Sequence, residues 1–381
     1  MRRSTLRTAV AVVTAGLTLT ACGGSDGGGS SGGGSSDAAT ATSAEDMGGM
    51  DALVKAAQKE GELNVIALPR DWANYGEMLD AFSKKYDIKL NEATPLGSSQ
   101  DELNAVESQK GQDRAPDVLD VGTSFAKQGA AQDLFAPYQV ATWGDIPDNQ
   151  KEPDGLWFND YGGFISIGCN AAVVAECPTT MADLLDPQYK GQVALNGNPT
   201  QAAAAFSGVW AAALSDGGSL DDIGPGIDFF VKLKKVGNFN PVESTPATVE
   251  NGETPISLDW DYVNAGLTKA LADSGTEWQV NVPSDGLFGS FYSQAISKFA
   301  PHPAAARLWE EFLYSDEGQN IWLKGLSRPV RLDAMTAAGT VDEEALAALP
   351  KVEGDLEFPD DEQQTAAQKV VADRWNAEMS G

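Results

Sequence analysis

Residues 63–92 read LNVIALPRDWANYGEMLDAFSKKYDIKLNE and contain one complete strand–helix–strand unit. The run from Leu63 to Leu68 is apolar and is followed by Pro69, a pattern typical of a buried strand that ends in a loop. Residues 88–92 are typical of a second strand. Between the two strands, large apolar side chains recur at helical spacing, at Tyr75, Met78, Leu79, Phe82 and Tyr86. Alternating elements of this length predict an α/β fold with a parallel sheet covered by helices on both faces.

The alternation continues on both sides of this unit. Ser99 and Glu102 have the spacing of a helix capping box, and residues 117–121 read as a strand that ends in the turn Gly122-Thr123-Ser124. Helices are predicted from residue 50, from Thr200, over 227–236, from 303 and over 363–379. Further strands are predicted over 164–167, 192–196, 255–258, 278–282 and 293–297.

The chain is strongly acidic, with 26 Lys and Arg residues against 55 Asp and Glu residues and a formal net charge of −29. Such a surface repels nucleic acid and anionic lipid, so neither is an expected partner. Two explanations of the charge stay open, the attraction of a cationic ligand and a solvated exterior suited to an acidic or saline environment. The length of 381 residues suits two domains.

The N-terminus has the pattern of an export signal. Three arginines within the first seven residues precede the apolar run from Ala9 to Leu19, which is too short to span a bilayer. The run ends in Leu19-Thr20-Ala21-Cys22, which resembles the lipobox of bacterial lipoproteins. The resemblance implies that residues 1–21 are a signal peptide and that Cys22 carries the lipid. The alternative is an ordinary cleaved signal with an incidental cysteine.

Small and polar residues dominate the segment that follows Cys22. Gly23 to Ala44 contains only Gly, Ser, Asp, Ala and Thr, which predicts a flexible tether over residues 22–45.

Two further cysteines, Cys169 and Cys177, form a pair in an exported chain and predict a disulfide. His302 is the only histidine and is distant in sequence, so no metal site is expected.

Two segments resemble the extracellular solute-binding proteins of ATP-binding-cassette importers. Residues 181–191, MADLLDPQYKG, are similar to the family's W-ADLLDP-YKG segment, with Met181 in place of the usual tryptophan. APHPAAA at 300–306, followed by EFLYSDEGQ at 311–319, resembles the APHP-AA…FL-S-EGQ pattern of the branch that binds iron, polyamines, thiamine or phosphonates. The resemblance covers roughly residues 60–335 and does not single out a ligand.

The resemblance implies a periplasmic-binding-protein-like type II fold. Such a fold has two α/β lobes, two crossing strands between them and an interlobe cleft that closes on a ligand. The first lobe is expected over residues 46–163 plus 288–381, and the second over 164–287. Because ligands in open α/β sheets lie beyond the carboxyl ends of strands, the loops at those ends are the candidate binding residues.

Two such loops belong to the expected first lobe. Trp72, Asn74 and Tyr75 follow the first strand, and mixed aromatic and polar groups can clamp an organic ligand. The alternative is that Asn74 caps the next helix and Tyr75 packs beneath it. Trp157, Asp160 and Tyr161 precede the first crossing strand and serve either ligand contact or hinge packing. Three residues next to predicted strands complete this group, Thr123, Ser124 and Tyr292.

The loop of the expected second lobe contains Asp259, Trp260, Asp261 and Tyr262. Two carboxylates beside two aromatic rings suit an ammonium group, through charged hydrogen bonds and cation–π contact. The alternative is that Asp261 caps a helix while Asp259 is solvated. Iron-binding relatives have a tyrosine pair near this place, whereas Tyr262 stands alone here.

An anionic ligand is the competing possibility. Thr200 and Gln201 open a predicted helix whose free backbone N–H groups can hold an anion, and plain capping is the alternative. Arg70, Arg328 and Arg331 are available in the sequence to add positive charge, which keeps a phosphonate or phosphate ester open.

Neither an enzyme nor a structural lipoprotein fits the sequence as well as a binding protein. The chain has no G-x-S-x-G elbow, no H-E-x-x-H motif and no P-loop, and its one histidine leaves no evident base–nucleophile pair. We therefore expect a monomeric, lipid-anchored protein on the outer face of the cell membrane, without catalysis or cofactor. It captures a small solute, a polyamine or similar organic amine first and ferric iron or a phosphonate second, for a permease and its ATPase.

The first prediction concerns the anchor. Cys22→Ser removes the lipidated side chain, and the tether has no other apolar group to hold a membrane. The variant is expected in the medium, while the unaltered chain sediments with membranes. Membrane fractionation followed by immunoblotting measures the difference, and equal membrane association of the two chains contradicts the lipobox interpretation.

Overall fold

The computed structural model describes residues 38–352 and 358–380, all within one compact unit, Gly34–Gly381. The predicted signal peptide, Cys22 and most of the predicted tether lie outside the described residues. The described helices, in chain order, are α1 Met50–Glu60, α2 Tyr75–Tyr86, α3 Ser99–Gln109, α4 Thr123–Ala131, α5 Ala203–Ser215, α6 Gly224–Val236, α7 Pro246–Glu250, α8 Asp261–Ala270, α9 Pro303–Leu313, α10 Asp316–Lys324, α11 Leu332–Ala338, α12 Glu343–Ala348 and α13 Asp361–Met379.

Short 3₁₀ turns at Glu45–Met47, Trp143–Asp145, Asp148–Gln150, Ala182–Leu185, Pro187–Tyr189 and Ala272–Ser274 accompany these helices. The described strands are β1 Glu62–Ile66, β2 Lys89–Ala93, β3 Val118–Gly122, β4 Phe135–Ala136, β5 Phe158–Asn170, β6 Val193–Leu195, β7 Ile256–Trp260, β8 Trp278–Asn281, β9 Gly289–Ser297 and β10 Arg328–Pro329.

The sheets are mixed, and not parallel as the alternation of elements predicts. β1 and β2 pair in parallel as a small sheet of their own. The larger sheet has the order β3-β9-β5-β7-β6, and within it β6–β7 is parallel while β3–β9, β5–β9 and β5–β7 are antiparallel. The local strand–helix–strand pattern correctly indicates an α/β fold, but long-range partners such as β9 decide the strand directions.

β5 is the strand that joins the two lobes of the fold. Its first half pairs with β9, and its second half pairs with β7 and β8. The predicted loop at residues 157–161 is wrong, because this stretch enters β5 directly at Phe158 and is buried. The aromatic residues there point from a long, rigid strand rather than from a flexible loop.

Two predicted helix starts are shifted. The capping box of α3 lies one residue earlier than predicted, because the Ser98 hydroxyl accepts from the Asp101 N–H and the Asp101 carboxylate accepts from the Ser98 N–H. This frees Glu102, whose buried carboxyl accepts from the backbone N–H of Asp120 at 3.0 Å. The helix predicted from Thr200 begins instead at Ala203.

The tether predicted over residues 22–45 extends too far. Ala38, Ala41 and Ala44 are buried, and the guanidinium of Arg307 donates to the carbonyls of Ala39 and Ala41. Small side chains allow this segment to lie close against α9, so the composition that predicts flexibility also permits packing. The part of the tether before residue 38 stays a prediction.

The cysteine pair forms the predicted bond. Cys169 and Cys177 are joined by a disulfide with a Cα–Cα distance of 5.8 Å. The bridge ties the end of β5 to the loop that follows it.

The C-terminal helix α13 lies against an element of the predicted second lobe, although residues 288–381 are assigned by sequence to the first. The Trp375 ring packs against Phe230 of α6 at 5.3 Å, and Lys234 donates to the carbonyl of Met379 at 2.9 Å. Within the described residues, no helix combines the length and the apolar character needed to cross a membrane.

Candidate functional site

Five aromatic side chains from the two predicted lobes contact one another, and we call them the aromatic box: Trp72, Tyr161, Trp260, Tyr262 and Tyr292. The rings of Tyr161 and Tyr292 stack with centroids 5.7 Å apart, and those of Trp260 and Tyr262 stack at 6.2 Å. Trp72 meets Tyr262 and Tyr292 edge-on, both at 5.8 Å. Two stacked pairs and one perpendicular indole therefore face each other across the lobe boundary.

Rigid elements hold these rings. Tyr161 and Tyr292 are on the paired strands β5 and β9, while Trp260 ends β7 and Tyr262 lies in the first turn of α8. Trp72 is in the loop after β1, and its indole Nε1 donates to the Tyr161 hydroxyl at 2.9 Å. The strand-to-helix turn at residue 261 is what lets Trp260 and Tyr262 contact one another.

Asp120 lies directly behind the box. Its Oδ2 accepts from the hydroxyls of Tyr75 and Tyr161 at 2.7 and 2.8 Å, and its carboxyl also hydrogen-bonds to that of Asp160. Burial raises the pKa of Asp120 to about 7, against the lowering effect of these hydrogen bonds. Asp120 is therefore one of a pair of buried acids behind the box.

A second buried acid, Asp160, stands beside Asp120. The Gln294 amide donates to Asp160 Oδ2 at 2.8 Å and to the Tyr75 hydroxyl at 3.1 Å, so one amide links the two acids. Burial, followed by the repulsion of Asp120, raises the pKa of Asp160 well above its ordinary value. Burial also raises the pKa of Glu310, which is fully buried and has no partner on either carboxyl oxygen.

Asp259 flanks the box from the second lobe. Its Oδ2 accepts from the Asn196 amide at 2.8 Å and its Oδ1 from the Trp260 N–H at 2.7 Å. Burial raises the pKa of Asp259 to about 7, and the carboxyl acts electrostatically on both Tyr262 and Tyr292. Within the described residues, no salt bridge joins either Asp259 or Asp120 to a basic side chain.

Asp261 differs from Asp259 because it is paired with a basic side chain. Its carboxylate pairs with Arg328 at 2.7 Å and accepts from the Phe164 N–H at 2.9 Å. This ion pair spans the lobes, because Arg328 is on β10 and Asp261 begins α8. Asp261 is therefore already neutralised, although the sequence groups it with Asp259.

The Tyr262 hydroxyl is buried in the box without a hydrogen-bond partner, whereas Trp260 bonds to the Tyr292 hydroxyl and Asp120 to Asp160. Burying such a group without a hydrogen bond costs about 1–3 kcal/mol. A solute that bonds to the Tyr262 hydroxyl removes this cost.

One cavity adjoins the box, and a second, outer cavity shares Phe206 with it. The inner cavity has a volume of about 10 Å³, and its lining includes Thr123, Ser124 and Trp260. The outer cavity has a volume of about 290 Å³, and its lining includes Thr200 and Phe206. The inner one holds no more than a water molecule. The box therefore has no room for an organic solute in this arrangement.

The two predicted lobes are in contact next to the inner cavity. A Cβ added to Gly122, at the start of α4, lies 2.4 Å from the Cβ of Ala203, at the start of α5. The N–H of Gln100 donates to the carbonyl of Gln201 at 3.3 Å. No side chain larger than hydrogen fits at residue 122 in this closed arrangement.

The structure separates the predicted site residues into two groups. Trp72, Tyr75, Asp160 and Tyr161 from the first lobe, with Tyr292, Asp259, Trp260 and Tyr262, are in the box or directly behind it. Thr123 and Ser124 line the inner cavity, and the Thr123 hydroxyl lies within hydrogen-bonding distance of two acceptors, Asn159 Oδ1 at 3.1 Å and the carbonyl of Phe291 at 3.0 Å.

Three predicted residues lie elsewhere. Asn74 donates to Glu77 and to the carbonyl of Ile321, which fixes the start of α2 to α10. The ring of Trp157 faces Lys127 at 5.6 Å and contacts no ring of the box. Thr200 lies in the turn before α5, where its hydroxyl donates to Asn198, so it does not cap a helix.

The arginines expected to support an anion are all engaged. Arg70 pairs with Asp80 and Glu92, and Arg331 pairs with Asp145 and Asp316. Arg328 pairs with Asp261. Among the described residues, no group of three or more His, Cys, Asp or Glu side chains is arranged to hold a metal ion.

Asp120 is the buried residue next to the box that the sequence analysis did not indicate. It interrupts the apolar strand Val118-Leu119-Asp120-Val121, and a lone acid in a fully buried strand is the signal that identifies it. Gln364, which lines the inner cavity from α13, gave no such signal because it belongs to a helix far along the chain.

Comparison with known proteins gives a consistent result. Residues 113–351 match a family described as bacterial extracellular solute-binding protein. No curated protein sequence matches the chain.

Three solved structures illustrate the likeness in fold. The periplasmic binding protein AfuA from Actinobacillus pleuropneumoniae, with fructose-6-phosphate bound, shares 19% identity at a TM-score of 0.65, covering 83% of this chain and 98% of its own. A ferric binding protein from Campylobacter jejuni shares 17% at 0.63, covering 83% and 99%. A putative spermidine/putrescine transporter protein from Listeria monocytogenes shares 13% at 0.62, covering 82% and 98%.

The second prediction follows from the buried Asp259 carboxyl. Its pKa is about 7 in the folded chain and about 4 in the unfolded chain, so the folded state holds the proton more tightly. The protonated Asp259 carboxyl therefore makes its full contribution to the free energy of unfolding below about pH 4. This contribution falls as the pH rises and is lost above about pH 7. The total loss is about 4 kcal/mol at most.

Asp259→Asn keeps an acceptor for Asn196 and removes this dependence. The variant is expected to gain stability relative to the unaltered chain as the pH is raised from 5 to 8. Urea denaturation at the two pH values measures the difference. A constant difference between the two chains contradicts the raised pKa.

Proposed function

Because this chain belongs to the bacterial extracellular solute-binding proteins, which serve ATP-binding-cassette importers, we propose that its solute is a small organic amine. Polyamines are the first compounds to test. The amine binds at the aromatic box when the lobes close, and the permease and ATPase of the importer then receive it. Relatives of this family bind solutes and are not enzymes, which agrees with a non-covalent role.

One observation supports the amine above other solutes, the pair of buried carboxyls without a basic partner. Asp120 approaches the box from the first lobe and Asp259 from the second. An ammonium group between them supplies the missing positive charge and donates to Asp120 Oδ1. Because both carboxyls are shielded from water, such charged hydrogen bonds are strong.

The rings add a second favourable term. A cation over a tyrosine or tryptophan face is stabilised by about 0.5–2 kcal/mol, with the larger value in a desolvated site. The box offers the faces of Tyr161, Trp260, Tyr262 and Tyr292 in two stacked pairs. An alkyl chain between two ammonium groups also finds apolar ring surface there.

A phosphonate or phosphate ester is the second candidate. It is favoured by the starts of α4 and α5, which face the inner cavity together with Ser124 and Ser207. Against a phosphonate or phosphate ester, the side chains of Arg70, Arg328 and Arg331 are already paired with acids. Buried acids next to the site repel an anion. Ferric iron is a weaker candidate, because burial raises the pKa values of Tyr262 and Tyr292 well above the ordinary value and so disfavours tyrosinate ligands.

The lipid anchor, the location and the monomeric state are proposed from the sequence alone. We propose that a lipid on Cys22 keeps the protein at the outer face of the cell membrane as a monomer. Lobe closure, which brings Trp72 of the first lobe against Tyr262 of the second, is the event that retains the solute.

The third prediction tests the ligand class. Asp120→Asn keeps an oxygen acceptor for the Tyr75 and Tyr161 hydroxyls and removes the charge. Loss of one charged partner from a desolvated pair typically costs several kcal/mol. Amine affinity is expected to fall by roughly tenfold to a thousandfold. Asp51→Asn, on the exposed face of α1, is the matched control and leaves the affinity unchanged.

Calorimetric titration with putrescine, spermidine and 4-aminobutanoate measures the affinities. Equal affinity of the Asp120 variant and the unaltered chain contradicts the assigned site. Absence of binding by any amine, with clear binding of a phosphonate, contradicts the ligand class and leaves the transport role in place.

A further inference from the structure

The C-terminal helix α13 forms part of the wall of the outer cavity. Gln368 and Lys369 line this cavity from α13, while Gln128 lines it from α4 and Thr200 from the turn before α5. Gln364, one turn earlier in α13, is buried and lines the inner cavity next to Trp260. A third element therefore closes the space between the two lobes.

Contacts fix α13 firmly to the second lobe. Arg374 pairs with Asp228 of α6, and the Gln363 amide donates to Asp221 at 2.9 Å. Just before the helix, Phe358 packs against Phe291 near the inner cavity, with ring centroids 5.6 Å apart. The wall that α13 provides is consequently built by specific contacts on both sides.

The lining of the outer cavity differs in chemistry from that of the box. Its polar side chains are the amides of Gln128 and Gln368, the hydroxyls of Thr200 and Thr365 and the ammonium of Lys369, and no carboxylate is among the lining residues. Lys369 also pairs with Asp373 at 2.6 Å, but this pair is solvent-exposed and therefore weak. The box, by contrast, is flanked by Asp120 and Asp259. The two cavities adjoin, because Phe206 lines both.

We infer that the outer cavity is a second subsite, in which Gln368 of α13 contacts the far end of the solute. Building on the proposed function, the ammonium end lies in the box and the far end reaches past Phe206. Amides, hydroxyls and a lysine favour a hydroxyl, amide or carboxylate there over a second ammonium. The solute is then an amine with a polar, non-cationic far end, and Gln368 is a specificity-determining residue.

The cavity volume supports this assignment. At about 290 Å³ the outer cavity is close to the lower limit for pockets that hold organic ligands. A solute that places only its ammonium in the box therefore has room for its remaining atoms in the outer cavity without displacing α13.

The experiment compares two tryptophan substitutions on the same helix of the full chain. Gln368→Trp fills the outer cavity, whereas Ala366→Trp is on an exposed position of α13 that lines neither cavity. Calorimetry with 4-aminobutanoate and putrescine, which have the same four-carbon length, is run on both variants and the unaltered chain. Circular dichroism confirms that both variants are folded.

The unaltered chain is expected to bind 4-aminobutanoate about tenfold or more tightly than putrescine. Gln368→Trp is expected to lower the affinity for 4-aminobutanoate by at least about tenfold, and Ala366→Trp to leave it unchanged. Tighter binding of putrescine, or equal affinities of the two variants, overturns the subsite.

Failure of the proposed function has a different signature. If no amine binds, a solute found by thermal-shift screening of phosphonates and sugar phosphates is titrated against the same three chains. A loss confined to Gln368→Trp then supports the outer subsite even though the amine is wrong, and equal affinities overturn both inferences.

Discussion

Burial of two carboxyls without a neighbouring cation is the constraint on which this site depends. Asp120 and Asp259 are shielded from water by the closed lobes, and burial raises the pKa of each to about 7. Removing a carboxylate from water is costly unless a positive charge or hydrogen bonds compensate. The tyrosine hydroxyls at Asp120 and the amide of Asn196 at Asp259 compensate in part. A cationic solute offsets the remaining cost and is therefore expected to stabilise the closed state.

The same constraint connects binding with lobe motion. In the structure Trp72 contacts Tyr262, and the inner cavity has room for about one water molecule, as the proposed closed form requires. A solute that supplies charge and hydrogen bonds stabilises the closed form more than the open form, which is how a ligand shifts such an equilibrium. The ion pair of Arg328 with Asp261 also spans the lobes. It stabilises closure without providing charge to the solute.

Local patterns in the sequence predicted the α/β fold class and the Cys169–Cys177 disulfide, and they indicated all five aromatic residues of the box as candidate site residues. They did not predict strand direction, because β9 joins its partners from more than a hundred residues away in the chain. They also could not separate Asp259 from Asp261, since only the folded chain brings Arg328 to one of them. Gln368 was not predicted for the same reason, because the sequence of α13 does not indicate which face of the helix lines a cavity.

The number of protons exchanged when an amine binds tests the central claim most directly. At pH 7 a carboxyl with a pKa of about 7 is about half protonated, and an ammonium beside it favours the charged form. Calorimetry with the tightest-binding amine, in two buffers of different ionisation enthalpy, gives the number. Two such carboxyls predict release of up to about one proton per bound amine. Binding with no proton release, or with proton uptake, contradicts the account.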